Sequence, residues 1–425
     1  MEQKTSPRRG LFARVGPGVI SGVANDDPSC IVTYSMAGAA FGYLTLWTSL
    51  FSLPLLAAVQ LMCSRLGMVS GRGLAGEVRA NHPRWALLSI SGLLVLANVV
   101  TIGADLAGMA AVTEMVTGAP ALIWTGVYAV GIVALLYYFP YRQIEKVFRW
   151  LCLVLFAYLA AGFLARPDWP AALTSTVLPR FEWSSRYLSV MVAIVGATMS
   201  PYFLFWQVSQ QVEQEYAMGR RTVAARRGAS RREIEDSRVD VLAGSFVCKL
   251  ITYFITLTAA ATLFTQGRRE IRTAEEAAAA LEPVAGPAAF WLFALGVIST
   301  GILAVPVLAS SSAYAVSEAL RWRATLEEKP AMAPKFYGVL TVSLLLGTGL
   351  IYLGFNAVQM LFWASVFNGL LVPPSLLLVV LLTRNPKVMG KHVNPPWITG
   401  LGWLTILLTG AMAVTMVASL IAKAW

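Results

Sequence analysis

The sequence predicts an all-α membrane protein, a bundle of helices that cross the bilayer, and three observations lead there. Hydrophobic residues make up 57% of the 425 and charged residues only 13%. With a mean hydropathy of +0.65, that is more apolar surface than one water-soluble core can bury. The apolar stretches also run continuously for about 20 residues, the length that carries a helix across ~30 Å of hydrocarbon. A membrane β-barrel would instead show alternating stretches of roughly ten residues.

Apolar windows and their polar ends mark eleven segments, at about 17–40, 44–65, 87–112, 121–139, 148–165, 187–212, 240–265, 287–319, 335–353, 356–383 and 397–422. The first holds Asp26, Asp27 and Pro28 in mid-run, and the third carries Asp105. The sixth is interrupted at Ser200-Pro201 and the seventh contains Lys249. The ninth has no charge in its core, and the tenth carries Asn368. The polar loops 213–239 and 266–286 are the longest, and no linker or shift in composition divides the chain. A single transmembrane domain over 1–425 follows, with 1–16 as a tail.

Lysine and arginine set the orientation. With the N-terminus inside, 25 of the 33 fall on the cytoplasmic side, as the bias of basic residues toward that side requires. The expectation is a multi-pass protein of the cell's inner (plasma) membrane, N-terminus cytoplasmic and Trp425 outside. The net charge of +11 sits in loops such as 220–232, where it reads as a solvated, lipid-facing rim, so no nucleic-acid partner is expected. No cleavable signal peptide is expected either, because Met1 to Arg9 lacks an apolar region of its own.

Cys30, Cys63, Cys152 and Cys248 show no paired spacing, which argues against a disulfide framework or a zinc site. The last three read as small buried hydrophobes. His82 and His392 stand in basic loops beside prolines, so a histidine metal cluster is not available.

The two broken segments carry the chemistry. Asn25-Asp26-Asp27-Pro28-Ser29 and Thr198-Met199-Ser200-Pro201-Tyr202 lie five segments apart. An odd separation inserts the two halves with opposite topology, and paired interrupted helices in inverted halves point to a substrate site at the membrane midplane. An uncompensated carboxylate that deep costs at least ~2.5–3.5 kcal/mol. Pro28 removes a backbone donor, so carbonyls near Ala24 and Asn25 lose their helical partners. A carboxylate beside free carbonyls makes a cation site; capping of the second half-helix is the competing role. Asp27 is expected as ligand and Asp26 as a further candidate. At the second break Pro201 frees carbonyls around Ala197 and Thr198, and Ser200 offers a hydroxyl. Oxygen donors suit hard ions such as magnesium, calcium or manganese. Met199 reads as packing.

These residues resemble a known family. Gly16-Pro17-Gly18, Asn25-Asp26-Asp27-Pro28-Ser29-Cys30 and Ala37-Gly38-Ala39-Ala40-Phe41-Gly42-Tyr43 look like the opening of Nramp-family divalent-metal transporters. Arg65 to Gly71, Gly196-Ala197-Thr198 and Phe293-Ala294-Leu295-Gly296 extend the likeness over almost the whole chain. The fold it implies is LeuT-like, two inverted repeats of five helices, here about 17–165 and 187–383, plus an eleventh at 397–422. The family's aspartate and alanine-carbonyl ligands fall on Asp27 and Ala197. Its asparagine ligand falls on Cys30, its sixth-helix methionine on Ser200 and the following histidine on Tyr202. Loss of the methionine implies a harder site, similar to that of Nramp-related magnesium transporters, although Cys30 keeps one soft atom in reach. The family's proton path is matched only by Asp105, since Gly108 stands in place of a glutamate and Tyr202 and Gln207 in place of histidines. Uncoupled or weakly proton-coupled transport is therefore expected.

Three further residues complete the candidates. Asn368 is expected to make a helix–helix hydrogen bond, with binding of ion-held waters as the alternative. Lys249 is expected to snorkel to the cytoplasm, with neutralisation of Asp26, Asp27 or Asp105 as the alternative. Gln207 and Gln210 share a face with Phe203 and would line an inner vestibule. The leading reading is a secondary transporter of magnesium or manganese with no cofactor. A LeuT-like carrier of a small organic cation or amino acid is the alternative. A receptor lacks any signalling domain, and an enzyme lacks a nucleophile–base pair.

Overall fold

The computed structural model describes residues 26–139, 143, 154–282, 286 and 289–424. Within them the chain is a helical bundle. Its helices of eight residues or more are α1 (Pro28–Phe41), α2 (Trp47–Ser70), α3 (Leu74–Asn81), α4 (Arg84–Thr117), α5 (Ala121–Tyr138), α6 (Ala157–Leu164), α7 (Trp169–Val177), α8 (Ser185–Thr198), α9 (Pro201–Ala217), α10 (Arg231–Ala259), α11 (Ala289–Leu320), α12 (Pro334–Ile351), α13 (Ala357–Arg384) and α14 (Pro396–Ala424).

Among the described residues, nine helical stretches are long and apolar enough to cross a membrane, with α8 and α9 counted as one. They match nine of the eleven expected segments. The first and fifth segments are each described only in part, and the Ala24 and Asn25 carbonyls and Cys152 lie outside the described residues. The seventh helix starts nine residues before the expected 240, at Arg231. Ser230 and Glu233 form a reciprocal capping box there, which satisfies backbone donors and nucleates polar turns beyond the membrane.

The outer helices show bare apolar faces, with Leu122, Ile123 and Val130 on α5, Val342 and Leu345 on α12, and Leu407 and Val414 on α14 all exposed. Such faces are stable only against lipid. The inner helix α1 is the opposite case: nearly every side chain on it is buried. It packs against α10, α13 and α8, as a helix apolar all round must. Close approach of α8 and α13 depends on Gly196 and Gly369. A Cβ on Gly196 would strike the Ser365 carbonyl and the Gly369 backbone, and one on Gly369 would strike the Val192 carbonyl.

Candidate metal centre

The two prolines do what their chemistry requires. Pro28 stands at the first position of α1, and Pro201 at the first position of α9, after a non-helical Met199-Ser200 link. Proline lacks the amide hydrogen that a continuing helix would need and fits the first turn of a new one.

The breaks meet. Cys30, one turn into α1, donates its thiol to the Ala197 carbonyl at 3.2 Å. Tyr34, a turn further, shares a 2.6 Å hydrogen bond with Thr198. From the other side Tyr202, in the first turn of α9, donates its hydroxyl to Asp27 Oδ2 at 3.1 Å. The start of α1 is thus tied to the link between α8 and α9.

Asp27 is fully buried and fills the capping role. Its Oδ1 accepts from the Cys30 amide at 2.9 Å and the Ser29 hydroxyl at 2.5 Å, which caps α1, while Oδ2 faces Tyr202. Asp26, also buried, accepts the Cys248 thiol on Oδ1 at 3.3 Å and leaves Oδ2 without a partner. Ser200 turns its hydroxyl back to the Gly196 carbonyl at 2.6 Å. Met199 is buried, as its packing role requires.

Asp105 is fully buried, with its carboxylate beside the Ser29 amide but outside hydrogen-bonding geometry. Asn368 donates to Thr101 at 3.0 Å, a helix–helix bond between α13 and α4, and its Oδ1 stays unpartnered. Gln207 is buried in α9 beneath the break. At Gly108 a side chain would run into Leu361, so apolar packing occupies the direction a glutamate would take.

Two residues differ from the sequence reading. Lys249 does not snorkel: it is 4% exposed, and its ammonium donates to Thr198 at 2.8 Å and Tyr34 at 3.2 Å. Hydroxyls from both broken helices within reach replace the water that snorkelling would seek. Cys248, read as an inert hydrophobe, points its thiol at Asp26. No signal in an unaligned sequence distinguishes it from Cys63, which is simply buried. Among the described residues, no group of three or more histidine, cysteine, aspartate or glutamate side chains is arranged to hold a metal. A metal here would take carbonyl, hydroxyl or water oxygens beside Asp27.

Side-chain contacts tie the helices together at both ends of the bundle. Where α2 ends, Glu213 accepts from Tyr314 at 2.7 Å, Thr325 at 2.9 Å and the Leu326 amide at 3.1 Å. There too Arg226 donates to the Gly71 carbonyl at 3.1 Å, and Glu318 accepts the Gly76 amide at 2.9 Å. At the opposite end, edge-on aromatic pairs Phe41–Tyr187 and Trp47–Phe181, both with centroids 5.1 Å apart, cover the bundle.

Comparison with known proteins adds to this geometry. A family model described as "Natural resistance-associated macrophage protein-like" (Nramp) matches residues 18–419. The divalent metal cation transporter MntH of Bacillus subtilis is 25% identical over 416 residues, covering 96% of this chain and 92% of that protein. A crystal structure of the Eremococcus coleocola manganese transporter superposes with a TM-score of 0.73 at 20% identity, covering 99% of this chain and 89% of that one. MhsT in complex with L-phenylalanine shares the fold at a TM-score of 0.59 and 13% identity, with 99% of each chain covered.

Proposed function

We propose, on the premise that this chain belongs to the Nramp family, that it carries divalent metal ions across a membrane by alternating access, with manganese or magnesium as cargo. The protein is a multi-pass membrane transporter and not an enzyme. Relatives bearing the name divalent metal cation transporter do not favour the organic-cation or amino-acid reading. The observation that carries the proposal is the position of Asp27, a fully buried carboxylate at the point where both helix breaks meet.

Asp27 and the Ala197 carbonyl are the firmest ligands. Asp26, Ser200, Cys30 and the free Oδ1 of Asn368 complete the candidate set, the last suited to waters that the ion retains. Magnesium keeps several of its waters, and oxygen donors match both ions. The single domain lies in the plasma membrane, N-terminus inside. Entry follows the metal gradient and the membrane potential, worth ~2.3 kcal/mol per charge per 100 mV. Proton coupling is weak or absent: one turn on from Asp105 stands Gly108, where the family's glutamate would be.

Flux into proteoliposomes, with magnesium, manganese, calcium and cadmium compared, tests the reading. Asp27→Asn is the informative variant, because asparagine still caps a helix while the charge is lost. Undiminished manganese and magnesium flux in that variant would remove Asp27 from the site. Stoichiometric acidification of the vesicle lumen during uptake would overturn the absence of coupling.

A further inference from the structure

Lys249 is buried beside a proposed cation site, where its ammonium would oppose cation binding unless something negative needs it. Its ammonium is held by Thr198 at 2.8 Å and Tyr34 at 3.2 Å and lies 5.6 Å from the centre of the Tyr34 ring. Two hydroxyl oxygens are what a bare monovalent cation would also accept. The nearby negative partner is Asp26. Asp26 Oδ1 takes the thiol of Cys248, the residue before Lys249, and the buried Oδ2 of Asp26 has no hydrogen-bond partner. A desolvated carboxylate left without a cation is strongly unfavourable.

We propose that the position held by the Tyr34 and Thr198 hydroxyls, with Asp26 as the neighbouring carboxylate, is a monovalent-cation site, and that Lys249 fills it permanently as a tethered ammonium. The inference goes beyond the metal reading, since it concerns a second subsite. It moves Asp26 from the divalent ion to the ammonium. The divalent ion then meets the single uncompensated charge of Asp27, and no companion monovalent ion has to bind or travel with it. The ammonium also bridges the helices that bear the two breaks, because Tyr34 belongs to α1 and Thr198 to α8.

The test empties the subsite. Purified Lys249→Ala and Lys249→Met proteins are melted in choline chloride and in sodium, potassium or methylammonium chloride at equal ionic strength. Lys249→Ala should show a saturable rise in unfolding midpoint with at least one of the small cations. Wild type and Asp26→Asn/Lys249→Ala should not respond. In liposomes, divalent uptake by Lys249→Ala should fall at least about tenfold in choline, a change of about 1.4 kcal/mol, and recover in the same small cation. A folded Lys249→Ala that ignores every monovalent ion overturns the proposal, as does a wild-type protein with the same dependence. If neither single variant folds, Asp26→Asn/Lys249→Met should fold, because it removes both charges; a double variant as unstable as the singles overturns the proposal. Absence of divalent flux in wild type would sink the metal reading and leave the melting result standing.

Discussion

Tyr202 donates its hydroxyl to Oδ2 of Asp27 at 3.1 Å, so a side chain just after the second helix break holds the carboxylate just before the first. A metal that uses Oδ2 has to displace that hydroxyl.

Tyr202→Phe should therefore bind metal more tightly and be less stable without it. A hydrogen bond to a charged group is worth about 1.5–3 kcal/mol, so the concentration for half-maximal uptake should fall by roughly tenfold or more. Uptake titrations, with unfolding midpoints measured in chelator, check both halves. An unchanged or weaker apparent affinity would mean that the hydroxyl assists the ion.

The two thiols make a prediction about soft ions. Cys30 lies on the Ala197 carbonyl and Cys248 on Asp26, and thiolates select softer metals than oxygen donors do. Cys30→Ser should lower cadmium uptake relative to manganese by about tenfold, the loss of one favourable ligand of ~1.4 kcal/mol. Competition between the two ions in one vesicle preparation reads the ratio directly. If the ratio does not move, Cys30 is no ligand.

Glu213 accepts three hydrogen bonds that draw α11 and the loop at 325–326 onto α9. Glu213→Gln presents an amide donor to a ring of donors and removes the charge that strengthens each bond. The expected result is a protein open at that end. A cysteine introduced at Gln207, now buried, should react with a water-soluble maleimide several-fold faster in the Glu213→Gln background than without it.

Gly196→Ala should destabilise the protein. The new methyl group would strike the Ser365 carbonyl and the Gly369 backbone, and overpacking of this kind costs about 1–3 kcal/mol. Thermal unfolding in detergent measures it. A variant as stable as wild type would show that α8 and α13 separate easily.

The architecture was legible wherever hydropathy and proline decide it. The apolar windows locate α2, α4, α5, and α11 to α14, and Pro28 and Pro201 locate both breaks, because helix length in lipid and the missing proline amide leave few alternatives. The capping role of Asp27 was legible as one of two alternatives, since a carboxylate just before Pro28 stands where a helix begins. Lys249 and Cys248 were not. Their roles depend on how α10 is rotated about its axis, which an almost uniformly apolar stretch does not specify. The early start of α10 escaped as well, since a hydropathy window detects the part of a helix in lipid and not the capped polar turns ahead of it.

The reciprocal anchoring of the breaks has a consequence for timing. Cys30 and Tyr34 grip the end of α8, and Tyr202 grips the residue that starts α1. With the ligands proposed above, neither segment could swing away without taking part of the coordination shell with it. Opening and unloading would then be a single event: a gate that parts these helices would dismantle the proposed shell as it gave access to it. The cargo's residence time would be set by the gate's motion and not by a separate release step.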